Sequence, residues 1–130
     1  MKITYEEFNA MELRPAYYNG TQFEIEVDFR KVSLHRVGIE VSKAINAVVG
    51  DTVRISGKVF IENSDFTNID VYMFGDVLSD FIEKYGSGRI TETIKMKLER
   101  VYAVYECNDY SFEPNKEEIA AYKLIEIIGE

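Results

Sequence analysis

Residues 50–75, GDTVRISGKVFIENSDFTNIDVYMFG, constrain this chain more than any other stretch. Val53, Ile55, Val59 and Ile61 fall on odd positions and Arg54, Ser56 and Lys58 on even ones, the period of two of a strand with one buried face. Gly57 stands on the apolar face, where a glycine marks a bend, a bulge or a close backbone approach. Residues 62–68 are rich in side chains that hydrogen-bond locally, which favours a loop, and Ile69, Val71 and Met73 then share one face of a second strand. Gly50-Asp51 and Gly75-Asp76 bracket the unit, so it reads as a long bent hairpin of the kind that curls a small sheet toward a barrel.

The flanking sequence supplies further strands and short helices. Thr4 and Glu7 form a capping box, with Ile3 and Phe8 placed as its hydrophobic staple, which predicts a helix over residues 5–11 that Pro15 limits. Residues 16–18 then lead as a short strand into an Asn19-Gly20 turn. Phe23, Ile25, Val27 and Phe29 alternate with polar residues as an amphipathic strand. Its phase slips afterwards, predicting a bulge near Arg30 and Lys31 and a turn near His35, before Ser42 caps a helix over residues 43–49. Asp76 is placed to cap a helix carrying Leu78, Phe81, Ile82 and Tyr85 on one face and ending at Gly86. Ile94, Met96 and Leu98 begin a second long strand that changes phase around Arg100. Asn115 and Glu118 suit one helical turn, and residues 121–128 fit a last strand or a helix, with the isoleucines and the short length favouring the strand.

After the first helix and hairpin the order is long strand, hairpin, helix and two more strands. That order is similar to the five-stranded OB barrel, in which a helix between the third and fourth strands plugs one end. The resemblance covers residues 21–128 and rests on element order alone. It implies a β-rich α+β fold, a curled antiparallel sheet or small OB-like barrel with two or three short helices. Residues 1–20 precede the barrel within a single domain over residues 1–130.

Composition narrows the function. Cys107 is alone, so no internal disulfide and no cysteine-based zinc site can form. No apolar run has signal-peptide length or approaches the roughly 20 residues needed to span a bilayer, so no membrane partner and a cytoplasmic setting are expected, the host cytoplasm for a phage protein. The formal charge is −8, of which residues 101–130 supply −5. Such a chain repels phosphate overall, which counts against nucleic acid without excluding a local basic face.

Catalytic and cofactor signals are missing from the sequence. His35 is the sole histidine and sits beside Arg30, Lys31 and Arg36 with no nucleophile motif. There is no phosphate loop, and Asn63, Asp65 and Asp70 lack the glycine and closing glutamate of a calcium loop, so neither metal nor cofactor is expected. Two surfaces remain. Tyr105, Glu106, Asp109, Tyr110, Phe112, Glu113, Glu117 and Glu118 form an acidic, aromatic segment suited to a protein partner with a basic surface. On that reading the chain is a noncatalytic binding protein, and for a phage an inhibitor of a basic nucleic-acid-binding host defence protein. The alternative uses Arg54, Lys58, Lys95 and Lys97 on strand faces, with Phe60 and Tyr72 interleaved, to grip single-stranded nucleic acid. A nucleotide-like small ligand sequestered in the barrel mouth is a third reading.

Overall fold

A computed structural model of the chain describes residues 2–10, 20–47, 50–107 and 115–129. Its strands are β1 (Gln22–Asp28), β2 (His35–Arg36), β3 (Val53–Phe60), β4 (Phe66–Met73), β5 (Thr93–Cys107) and β6 (Asn115–Gly129). Its helices are α1 (Tyr5–Ala10), α2 (Ile39–Ala44) and α3 (Gly75–Tyr85). The sheet runs β1-β5-β6-β4-β3-β2, and a further pairing of β1 with β3, at Asp28 and Lys58, closes five of these strands into a barrel. Pairing is antiparallel except between β4 and β6, which run parallel through Val71-Tyr122 and Tyr72-Lys123. The barrel is therefore mixed, where a curled antiparallel sheet was the other expectation.

Alternation along the strands fills its interior. Ile25, Val27, Ile55, Val59, Val71, Ile94, Met96 and Leu98 are buried, and Phe81 of α3 enters the same core with its ring edge-on to Phe29, centroids 6.4 Å apart. Gly57 lies where β3 passes closest to β1. A Cβ there would sit 2.4 Å from Val27 Cγ1 and 2.8 Å from Phe29 Cε1, so the glycine on the apolar face is a close approach.

The capping box forms reciprocally. Glu7 N–H donates to Thr4 Oγ1 at 3.0 Å, and Thr4 N–H donates to Glu7 Oε1 at 3.2 Å. Ile3 is buried and Phe8 half-buried against the same core, as a staple requires. Replacing Thr4 by alanine is expected to cost about 1 kcal/mol, read as a lower urea midpoint. An unchanged midpoint would mean that α1 frays without loosening the barrel.

Several boundaries differ from the sequence expectation. α2 begins at Ile39, with Gly38 as its extended N-cap, and Ser42 lies inside it, donating to the Gly38 carbonyl at 2.9 Å instead of capping. Val37, Val41, Ala44 and Ile45 form a helical stripe on a second small cluster, a spacing that outweighs the period of two in Val37, Ile39 and Val41. β1 ends without a bulge: Lys31 takes a left-handed φ of 54°, and Val32 then pairs with Ile90. His35 is in a strand pair with Arg54 and not in a turn.

The β3–β4 connection is shorter than residues 62–68. A 3-10 turn at Glu62–Ser64, with Asn63 left-handed, lets Phe66 pair directly with Phe60. α3 starts at Gly75 with no side-chain cap from Asp76, and Gly86 ends it at φ 87°. The inward alternation of β5 runs on through Arg100, which is buried; the two register shifts against β6 come earlier, where β6 carries the extra residues Ile125 and Ile128. Asn115 and Glu118 are in β6, paired with Cys107 and Val104, and not in a helical turn. The expected strand at residues 16–18 and Asn19 of its turn lie outside the described residues.

Candidate nucleic-acid interface

Even-numbered residues of β3 and β4 point out of the barrel interior and meet across the hairpin in four rows. These are Arg54 with Tyr72, Ser56 with Asp70, Lys58 with Asn68, and Phe60 with Phe66. From Arg54 to Phe60 the face runs about 20 Å at the usual rise per strand residue. His35 of β2, exposed, extends the first row beside Arg54.

The hairpin tip combines rings and cations. Phe60 and Phe66 lie 6.4 Å apart with planes tilted by 59°, and Phe66 is 50% exposed. Lys58 Nζ stands 4.5 Å from the centre of the Phe66 ring, and the Arg30 guanidinium carbon 5.4 Å from that of Phe60. Both are within the range in which a cation is drawn to a ring face. Arg30 reaches this face from the segment after β1, and its Nε donates to Asp28 Oδ2 at 3.0 Å. Ser56 Oγ donates to Asp70 Oδ1 at 2.6 Å, so one of the flanking carboxylates is engaged within the face.

The start of the chain fixes the tip. Ile3 N–H donates to the Phe60 carbonyl at 2.9 Å, and Glu62 N–H to the Ile3 carbonyl at 2.8 Å. Tyr5 N–H donates to Glu62 Oε1 at 3.0 Å, and the Tyr5 hydroxyl donates to the Asp65 carboxylate. That hydrogen bond, with some desolvation and the negative charges of Asp65 and Glu62, raises the hydroxyl pKa above its ordinary value. The neutral phenol is therefore the form the fold favours.

The residues expected to bind nucleic acid are only partly brought together. Arg54, Lys58 and Phe60 share the hairpin face. Tyr72 is on the same side of β4 but only 7% exposed, covered in a cluster with Ile45 and Ala121 where α2 packs, so it belongs to the fold and not to an exposed face. Lys95 and Lys97 are on another part of the barrel. Their cross-strand partners on β1 are Glu26 and Glu24, and β1 separates them from β3, so acids adjoin both lysines. Phe66 and Arg30 were not anticipated. Phe66 sat in what reads as a loop, and Arg30 reaches Phe60 only because the barrel closes.

Of the acidic segment, Asp109, Tyr110, Phe112 and Glu113 lie outside the described residues. Tyr105 and Glu106 on β5 pair with Glu117 and Lys116 on β6, and Glu118 pairs with Val104, a backbone register that leaves the side-chain surface undescribed. Cavities of about 480 Å³, between Arg36, Asp51, Val53, Asp76 and Ile82, and about 370 Å³, between Val77, Asp80, Lys84 and Ile127, have the volume of small-molecule sites, roughly 300–1,000 Å³, whereas the one between Ile3, Phe23, Ile25 and Arg100 is smaller, at about 220 Å³. Among the described residues no group of three or more His, Cys, Asp or Glu is placed to hold a metal ion. No helix among them is long and apolar enough to cross a membrane.

No family model and no curated protein matches the sequence. Among solved structures the chain is similar to the mitochondrial single-stranded DNA binding protein Rim1 of S. cerevisiae. The TM-score is 0.52 at 12% identity, covering 85% of this chain and 95% of that one. A selenomethionine-labelled crystal of the same yeast protein gives 0.50 at 10% identity, covering 85% and 97%. The barrel is an OB fold. At such identity what is shared is the closed barrel and its connectivity, with β1, β3, β4, β5 and β6 as its five strands and α3 between the third and the fourth.

Proposed function

We propose that the chain binds single-stranded nucleic acid along the outer face of the β3–β4 hairpin. The observation that carries this reading is the Phe60–Phe66 pair with Lys58 and Arg30 over its rings. Single-strand binders combine aromatic platforms for bases with cations that follow the backbone, and OB folds place such sites on their second and third strands, here β3 and β4. The structural neighbours bear the name of single-stranded DNA binding proteins, which supports the same reading. Binding of this kind needs no catalytic group. No observation on the described residues favours an acidic inhibitor, so that reading takes second place.

The cation count sets the expected salt dependence. Arg30, Arg54 and Lys58 are three positive groups on a chain of net charge −8, so binding should be modest and confined to this face. Anisotropy of a labelled oligonucleotide about 20 bases long should show binding at low salt, with log K falling against log salt by about 0.7 for each phosphate contacted, about 2 in all. Lys58→Gln should weaken binding and reduce the slope by about 0.7, while Lys95→Gln should leave both unchanged. Absence of binding at low salt, where attraction is strongest, would overturn the proposal.

A further inference from the structure

We infer that Arg30 is a stacking residue of this interface, offering its guanidinium plane to a base while Phe60 backs it from beneath. The inference rests on the single-strand reading above and assigns a role to a residue outside the hairpin. Phe60 is half-buried, and the Arg30 guanidinium carbon lies 5.4 Å over its ring. Of the two side chains at that position the arginine is the more exposed, at 65%. Asp28 Oδ2 accepts from Nε at 3.0 Å, which ties one edge of the guanidinium to β1.

Phe66 differs. It is 50% exposed and its cation is the ammonium of Lys58, a point charge without a plane, so the ring itself is the platform there. Guanidinium planes stack on nucleic-acid bases as aromatic rings do, and the two positions together form a step for two successive bases. Lysine at position 30 would keep the charge and lose the plane.

That difference defines the test. Arg30→Lys and Arg30→Gln would be titrated at low salt against a labelled thymidine oligonucleotide and against an abasic strand of equal length and charge. The expected result for Arg30→Lys is about tenfold weaker binding to the thymidine strand with less than about twofold change on the abasic one. Arg30→Gln should weaken both, because the charge is lost as well. An Arg30→Lys variant that binds both strands like the parent, or loses equally on both, would reduce Arg30 to a phosphate contact or a bystander and overturn the inference while leaving the interface in place. If the parent bound neither strand, the single-strand reading itself would fall, and this inference with it. Arg30 is exposed, so melting temperatures should stay together and any difference reports on binding.

Discussion

Gly57→Ala should destabilise the protein by about 3 kcal/mol, at the upper end of what overpacking a core usually costs. The direction is diagnostic. Alanine in place of glycine within an ordinary strand stabilises, because it restricts the unfolded chain. At Gly57 the added carbon would stand 2.4 Å from Val27 Cγ1 and 2.8 Å from Phe29 Cε1, distances at which something must move. Neither neighbour has room. Val27 and Phe29 are completely buried, and Phe29 in turn packs edge-on against Phe81 of α3. Relief requires β3 to withdraw from β1, and the Asp28–Lys58 pairing that closes the barrel is one residue away. Urea denaturation should show a lower midpoint with little change in slope. Gly88→Ala is the control, since nothing lies within 4 Å of a Cβ there, and it should stay within about 0.5 kcal/mol of the parent. Val27→Ala removes the nearest atom, so the double variant should lose less than the sum of the two single losses. A Gly57→Ala protein as stable as its parent would mean that β1 and β3 do not meet as described.

Features set by a few neighbouring residues were legible in the sequence. The capping box at Thr4 and Glu7 needs only four positions, and Gly57 announced itself by interrupting an apolar face. The outward position of Arg54, Lys58 and Phe60 follows from alternation alone. What alternation cannot supply is the surroundings of an outward face. Tyr72 has the right parity for an exposed platform, yet residues near 39–45, thirty positions earlier, cover it. Lys95 and Lys97 also point outward, but the register that sets Glu26 and Glu24 opposite them is a property of the β1–β5 pairing. Arg30 reaches Phe60, and Phe66 meets Phe60, through barrel closure and a turn of only a few residues. A signal for the turn was present, since Asn tolerates the left-handed conformation that Asn63 adopts, but the polar run around it masked the strand beginning at Phe66.

Removing both rings of the hairpin tip should have the largest effect on binding. Base stacking is worth about 1–3 kcal/mol per base; Phe66→Ala removes one platform and Phe60→Ala the ring that backs the Arg30 plane, so the double variant should weaken single-strand binding by about two to three orders of magnitude. The cost to the fold should be small by comparison, because Phe66 is half exposed and Phe60 only half-buried, both outside the barrel interior. Charge and stacking separate in the salt dependence. Arg30, Arg54 and Lys58 remain in the double variant, so its affinity should fall by a similar factor at every salt concentration while the slope stays near that of the parent. Lys58→Gln should do the reverse, changing the slope more than the affinity at moderate salt. Tyr72→Ala distinguishes a platform from a core residue on the same strand: it opens the cluster with Ile45 and Ala121, so it should lower the melting temperature first and binding only through the fold. A double phenylalanine variant that bound like its parent would remove the hairpin face from consideration. The OB barrel would then have to present nucleic acid to another surface, and the alternating acids and lysines of β1 and β5 offer none with a net positive charge.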